Sequence, residues 1–320
     1  MKPGLTPSGD SYNNGTHKHR WQGIFDALKV IAYRKYWLGL IVLFFAGHLQ
    51  APAQAWLAYE LTQSPLKLTL VMAMQSVPMF LLSMYSGVII DRIQKRNVIV
   101  VTQIVTAVVA GIVAVMIATH HIQYWHLLVS SFIGGINGAF NMTARNAIIA
   151  ELVPREKIYN AIALNNVGAN AAAIIGPAVC GILIAAAGTE GAYYGSIIFY
   201  IAGIVMMGML PVTGKLNRVQ SGSMVKNLVE GVRYLRGQRL VVILLLMELT
   251  FTLFGAIYSG LMPVFAGLLN LQSQGYGFLL AASGIGSMLG SLMVASLGNY
   301  KGKGLLIMVS GIIFGISLLL

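Results

Sequence analysis

The chain has 320 residues, 57% of them hydrophobic and only 9% charged, with a formal net charge of +12. Soluble domains carry about 25% charged residues, so this composition excludes a water-soluble globule and makes a lipid bilayer the expected partner. A single cysteine, Cys180, excludes an internal disulfide framework and any cysteine-based metal site.

Residues 1–20 mix Gly, Pro, Asn and Ser with charges and read as disordered. No apolar stretch followed by small residues marks a cleavable leader there. Residues 21–36 then place Trp21, Phe25, Leu28 and Ala32 on one face, which predicts an amphipathic helix lying on the membrane surface.

Nine apolar runs follow, 16 to 30 residues long, against the roughly 20 residues that a helix needs to cross about 30 Å of hydrocarbon. They cover residues 37–59, 66–90, 98–119, 124–148, 161–187, 191–211, 240–269, 274–297 and 305–320. Between the sixth and seventh lies the longest polar stretch, 212–239. Within it, Met224 to Leu235 alternates Leu228, Val232 and Leu235 with Lys226, Glu230 and Arg233 at helical spacing.

The expected organisation is therefore all-α and polytopic, in four parts. A cytoplasmic tail and lead-in helix span 1–36, a six-helix half spans 37–211, a linker spans 212–239 and a partial second half spans 240–320. A weak repeat links the halves: the glycine and basic loop of Gly87 to Asn97 are echoed by Gly290 to Lys303. That symmetry sets six spans against three, so about three further helices are expected of a complete second half.

Charge placement fixes the expected orientation. All but Lys67 of the 21 Lys and Arg residues precede the first span or lie around the ends of the second, fourth, sixth and eighth. Cationic loops mark the cytoplasmic side, so the N-terminus is expected inside the cell. A nucleic-acid surface would gather its cations on one folded face, and no nucleic-acid partner is expected.

Two segments carry a family resemblance. Gly87-Val88-Ile89-Ile90-Asp91-Arg92-Ile93-Gln94-Lys95-Arg96 resembles the major facilitator superfamily loop signature G-x-x-x-D-R-x-G-R-[KR]. It matches at Gly87, Asp91, Arg92, Lys95 and Arg96 and departs at Gln94, where the family has glycine. The resemblance implies that Asp91 helps to hold the two halves in one state. A glycine at this helix end would also let helices approach closely.

The run Ala144-Arg145-Asn146-Ala147 to Glu151-Leu152-Val153-Pro154-Arg155-Glu156 is similar to that of bacterial exporters of the enterobactin-exporter and macrolide-efflux type. Gly176-Pro177 with Gly181 resembles the superfamily's antiporter motif in the fifth span and marks a hinge or a kink. The superfamily's arginine in the fourth span is absent, with Ser130-Ser131 in its place, so its proton-coupling role does not carry over.

Polar groups within the spans complete the candidate set, because each is costly in hydrocarbon and tends to face a cavity or a partner. Glu248 lies nine residues past Arg239, or about 13 Å along a helix, where a carboxylate could take up and release a proton. His48 lies at similar depth in the first span. Gln50 and Gln54 share a face from which His48 points away. Asn137 and Asn141 stack one turn apart with Arg145 continuing the stripe, and Asn166 and Asn170 do so beside Asn165. These residues are expected to line a cavity or to bind helices together.

No Walker loop, Ser/His/Asp set or HExxH occurs, so neither an enzyme nor a cofactor is expected. Gly284-x-Gly286-x-x-x-Gly290 has no strand before it and is expected to serve helix packing. The resemblance implies a monomeric secondary transporter of the bacterial inner membrane, exporting a small siderophore-like or drug-like molecule against protons. A lysophospholipid transporter, an importer and a non-functional truncated membrane protein are the alternatives.

Overall fold

In a computed structural model of the chain, the described residues are 26–210, 233, 238–251, 257–271, 273–296 and 303–319. Every regular element among them is a helix. In hydrocarbon each backbone N–H and C=O needs an internal partner, and a helix supplies it within one segment.

The helices are α1 (Ile31–Thr62), α2 (Pro65–Ile90), α3 (Lys95–Ala118), α4 (Tyr124–Leu152), α5 (Ile158–Gly208), α6 (Arg239–Thr250), α7 (Ile257–Leu268), α8 (Ser273–Ser296) and α9 (Lys303–Leu319). Their ends follow local chemistry. Gln63 closes α1 in the left-handed region at φ 46°, its N–H donating to Tyr59 O at 2.7 Å. Ser64 then accepts from the Lys67 N–H while Pro65 opens α2. Gln123 and His126 cap α4 reciprocally, with the Gln123 N–H donating to His126 Nδ1 at 2.9 Å.

The predicted fifth and sixth spans run together in α5, which breaks at Ala187 and Gly188 where the reading of the sequence placed their boundary. Gly188 sits at φ 73°, ψ 177°, a conformation essentially reserved for glycine. The predicted seventh span corresponds to α6 and α7, with 252–256 outside the described residues.

The lead-in helix expected over 21–36 differs. Residues 21–25 lie outside the described set, Asp26–Lys29 form one 3-10 turn, and Ile31 already begins the first crossing. The reason is packing: Tyr33 and Tyr36 are fully buried against α5 and α4, with Tyr33 Oη donating to Ala161 O at 2.8 Å and Tyr36 Oη to Arg145 O at 3.2 Å. Apart from 233, 238 and 239, the linker and its predicted helix lie outside the described residues.

α1, α2, α3 and α5 are each long and apolar enough to cross a membrane. α4 has sufficient length at 29 residues but carries a polar stripe. The outward faces are apolar: on α3, Val101, Ile104, Val108, Ile112 and Val115 are all exposed, at three- or four-residue spacing. That inverts the pattern of a soluble protein and matches a lipid contact.

The core has two apolar clusters. One gathers Tyr36, Leu40, Leu43, Ile99, Ile148 and Leu164 toward the basic loops. The other gathers Leu49, Leu57, Leu68, Val113, Leu127 and Tyr193 toward the opposite end. Between them lies a band of amides and hydroxyls.

Replacing Gly188 with alanine forces a Cβ into this disfavoured backbone region, so the expected loss is about 1–3 kcal/mol of stability. Thermal unfolding of the purified protein measures it. Gly111→Ala, in a helix with open space around the added Cβ, is expected to leave the midpoint unchanged or raise it.

Candidate functional site

The polar band is organised around a cavity of about 180 Å³ among α1 to α5. Its wall is built on α4, where Ser130, Gly134, Asn137, Asn141 and Arg145 recur every three or four residues and so share one face. α1 contributes Gln50 and Gln54 at i, i+4. α3 contributes Thr102, Gln103 and Thr106, and the second limb of α5 contributes Tyr200.

Several of the lining groups bond one another, as buried polar groups tend to. Gln54 Nε2 donates to Ser131 Oγ at 2.6 Å and Ser130 Oγ at 3.2 Å. Tyr200 Oη donates to Gln50 Oε1 at 2.7 Å. Asn141 Nδ2 donates to Thr102 Oγ1 at 2.7 Å, and Asn137 Nδ2 to Thr106 Oγ1 at 3.5 Å. Each bond crosses between helices, so these side chains join the bundle and line its interior at once.

Of the candidates read from the sequence, Gln50, Gln54, Asn137 and Asn141 come together here. The other four do not line this cavity. His48 turns toward α5, where its backbone meets Gly176. Asn166 and Asn170 are exposed on α5, while their neighbour Asn165 accepts from Tyr33 Oη at 2.9 Å. Glu248 is exposed on α6.

Ser130, Ser131, Thr102, Gln103, Thr106 and Tyr200 were not singled out as lining residues. Their signal was present on α3, where Thr102, Gln103 and Thr106 fall within about one turn in an otherwise apolar run. Small hydroxyls that bond back to their own helix, as Thr102 Oγ1 does to Val98 O at 2.8 Å, do not betray a cavity by their type alone.

The basic loop ties helix ends together. Asp91 caps α2, its N–H donating to Gly87 O at 3.1 Å. The carboxylate of Asp91 and the side chain of Arg92 are exposed. Lys95 pairs with Glu151 at 2.7 Å with side chains only 13% and 19% exposed, joining the start of α3 to the end of α4. The Arg96 guanidinium donates to Gly208 O at the end of α5. Gly87 has open space where a Cβ would stand, so the close helix approach expected there is not found among the described residues.

The glycines of the fifth span do mediate close approach. A Cβ on Gly176 would stand 2.7 Å from His48 Cβ. One on Gly181 would stand 2.7 Å from Ser273 O and 2.9 Å from Gly277 Cα. Thus α5 meets α1 and α8 backbone to backbone around Pro177. The same end of α8 stacks Tyr276 on Trp56 of α1 at 5.4 Å, and the hydroxyl of Tyr276 donates to Pro52 O at 3.3 Å. These contacts join the two parts of the chain at the end away from the basic loops. Of the later glycines, Gly284 packs against Ile174, whereas Gly286 and Gly290 face open space among the described residues.

Apolar helices around an internally bonded polar cavity define a polytopic membrane protein of the transporter class. A profile of the transmembrane secretion effector family matches residues 23–320, and the chain belongs to this family of major facilitator transporters, which are not enzymes. The resemblance read from residues 87–96 and 144–156 is borne out at that level.

Among curated proteins, the chain is 24% identical over 296 residues to macrolide efflux protein A of Streptococcus pyogenes, covering 88% of this chain and 70% of that one. It is 22% identical over 293 residues to a staphyloferrin A transporter of Staphylococcus aureus, covering 89% and 72%. Multidrug efflux pump Tap of Mycolicibacterium fortuitum is 22% identical over 278 residues, covering 82% and 66%.

A solved bacterial homologue of the human lysosomal transporter Spinster, inward-facing and unoccupied, superposes with a TM-score of 0.58 at 14% identity. It covers 83% of this chain and 63% of its own, and shows the shared fold.

Reversing either member of the Lys95–Glu151 pair alone sets two like charges together in a half-closed site. The expected cost is about 2 kcal/mol, between the values for exposed and buried pairs. Exchanging both, Lys95→Glu with Glu151→Lys, is expected to recover most of that loss in a thermal-unfolding cycle.

Proposed function

We propose that the chain works as a secondary exporter of small amphipathic molecules by alternating access, in the inner membrane of a bacterium with its N-terminus in the cytoplasm. The observation that carries the reading is the internally bonded polar cavity of α1, α3, α4 and α5 within an otherwise apolar bundle. A polar interior is costly in hydrocarbon and is kept where solutes or ions are handled. The names of the relatives, two efflux proteins and a staphyloferrin A transporter, support transport of small molecules, and the two efflux names support the outward direction.

The mechanical side rests on packing. α5 and α8 touch through glycines at the end away from the basic loops, while Lys95 and Arg96 bind their loop to α4 and α5 at the other end. Rigid halves that hinge on such a contact expose a midplane site to each side in turn. The division into 37–211 and 240–320 by the 212–239 linker belongs to this proposal.

Proton coupling is also part of it, with Glu248 as the carboxylate that loads and releases the proton. A ligand or proton biases the two states only through its different affinity for each, so neutralising Glu248 should remove the bias. Monomeric action is part of this proposal, supported by the lining of the cavity by helices of one chain.

Efflux of a compound panel from cells, with and without a proton gradient, tests this reading. At equal membrane levels, Asn141→Leu and Gln54→Leu are each expected to lower export about tenfold, as the loss of a well-made buried polar contact implies. Export is expected to stop when the gradient is collapsed and to lose its gradient dependence in Glu248→Gln. Gradient-driven export retained in that variant would remove Glu248 from the coupling role.

A further inference from the structure

Among the described residues Arg145 is the one cation that lines the cavity, and none of them neutralises it. Its guanidinium makes no hydrogen bond to them, and its Nε is buried without a partner. No Asp or Glu lines the cavity. The ion pairs among the described residues, Lys29–Asp26 and Lys95–Glu151, leave it out. Its neighbours in the sequence motifs behave differently, since Lys95 has Glu151 and Arg96 has the Gly208 carbonyl.

The side chain is nonetheless held in place. The guanidinium carbon lies 4.9 Å from the centre of the Phe44 ring, within cation–π reach, a contact that uses none of its N–H donors and leaves the guanidinium edge without a hydrogen bond among the described residues. The Tyr36 hydroxyl donates to the Arg145 carbonyl at 3.2 Å and fixes the helix turn that carries it. A snorkelling arginine would stretch to the headgroups instead. Arg145 stands seven residues short of the end of α4, about 10 Å along the axis, and lines the cavity with Gln50, Asn141 and Tyr200.

A fixed cation with a free donor edge, ringed by neutral amides and hydroxyls that already bond each other, is a receptor for an anion. We infer that the cavity recognises an oxyanion group, such as the carboxylate of an amphipathic solute, through the Arg145 guanidinium. Two parallel N–H···O bonds match a carboxylate to that edge. The polar neighbours orient the group without competing in charge, and the apolar remainder of the solute extends beyond the 180 Å³ pocket. This deepens the transport reading by naming the class of solute that the cavity favours.

Binding of radiolabelled hexanoate to the purified chain in neutral-lipid nanodiscs, corrected with empty discs, tests it without any transport step. Saturable binding is expected that hexanol and hexylamine do not displace. Inorganic phosphate as a competitor separates a free anion from an amphipathic carboxylate, and displacement by either supports oxyanion recognition. Arg145→Gln is expected to weaken hexanoate binding by at least about tenfold and Arg145→Lys by less, the bidentate edge being lost but the charge kept.

Asn141→Asp supplies an internal anion one turn away. It is expected to abolish hexanoate binding while raising the thermal midpoint of the empty protein, which separates lost recognition from lost folding. Displacement by hexanol as strong as by hexanoate, or undiminished binding in Arg145→Gln, overturns the inference. Failure of the compound panel to be exported bears on the transport reading and leaves this outcome unaffected.

Discussion

Hydrocarbon offers no hydrogen-bond partner, and the rest of this structure follows from that constraint. A polar group carried into the membrane has to find its partner within the protein, on its own helix or on a neighbour. Gln50, Gln54, Asn137, Asn141 and Tyr200 therefore gather in one band between two apolar clusters, whereas Asn166 and Asn170 stay on the surface of α5. Gln54 on Ser131, Asn141 on Thr102 and Tyr200 on Gln50 are the visible result. Because lipid removes the hydrophobic drive for helices to associate, these bonds and the close glycine contacts are what hold the bundle together.

The same constraint explains why the site and the scaffold are hard to separate. A residue such as Asn141 is a strut between α3 and α4 and also part of the cavity wall. Arg145 is different, because its charge is held by Phe44 stacking rather than answered by a carboxylate. The glycines around Pro177 add close helix packing. Where Gly181 meets Gly277 the two backbones touch without side chains between them.

Much of this was legible in the sequence. Nine apolar runs, the break at 187–188 and the polar stripe through Asn137, Asn141 and Arg145 follow directly from length, glycine placement and helical period. The family, too, stood in residues 87–96 and 144–156. What period could not supply is the direction in which a helix face points. Asn166 and Asn170 show the same i, i+4 pattern as Asn137 and Asn141, yet α5 turns them outward and α4 turns its pair inward.

His48 is a second case: its depth was readable, but the glycine that brings α5 against it lies 128 residues away in the sequence. The early start of α1 at Ile31 was missed for a similar reason. Tyr33 and Tyr36 look like interfacial aromatics until their partners on α5 and α4 are known.

Water is predicted to reach the polar band and lipid to cover the exposed apolar faces. Cysteine scanning in a Cys180→Ser background tests it most directly, using a membrane-impermeant, water-borne thiol reagent on both sides of sealed vesicles. Cysteines at Gln54, Asn137 and Asn141 are predicted to react, and those at Val108 and Ile112 to stay unmodified although they lie on the molecular surface. Labelling at Val108 and Ile112 with protection of the other three would contradict the account.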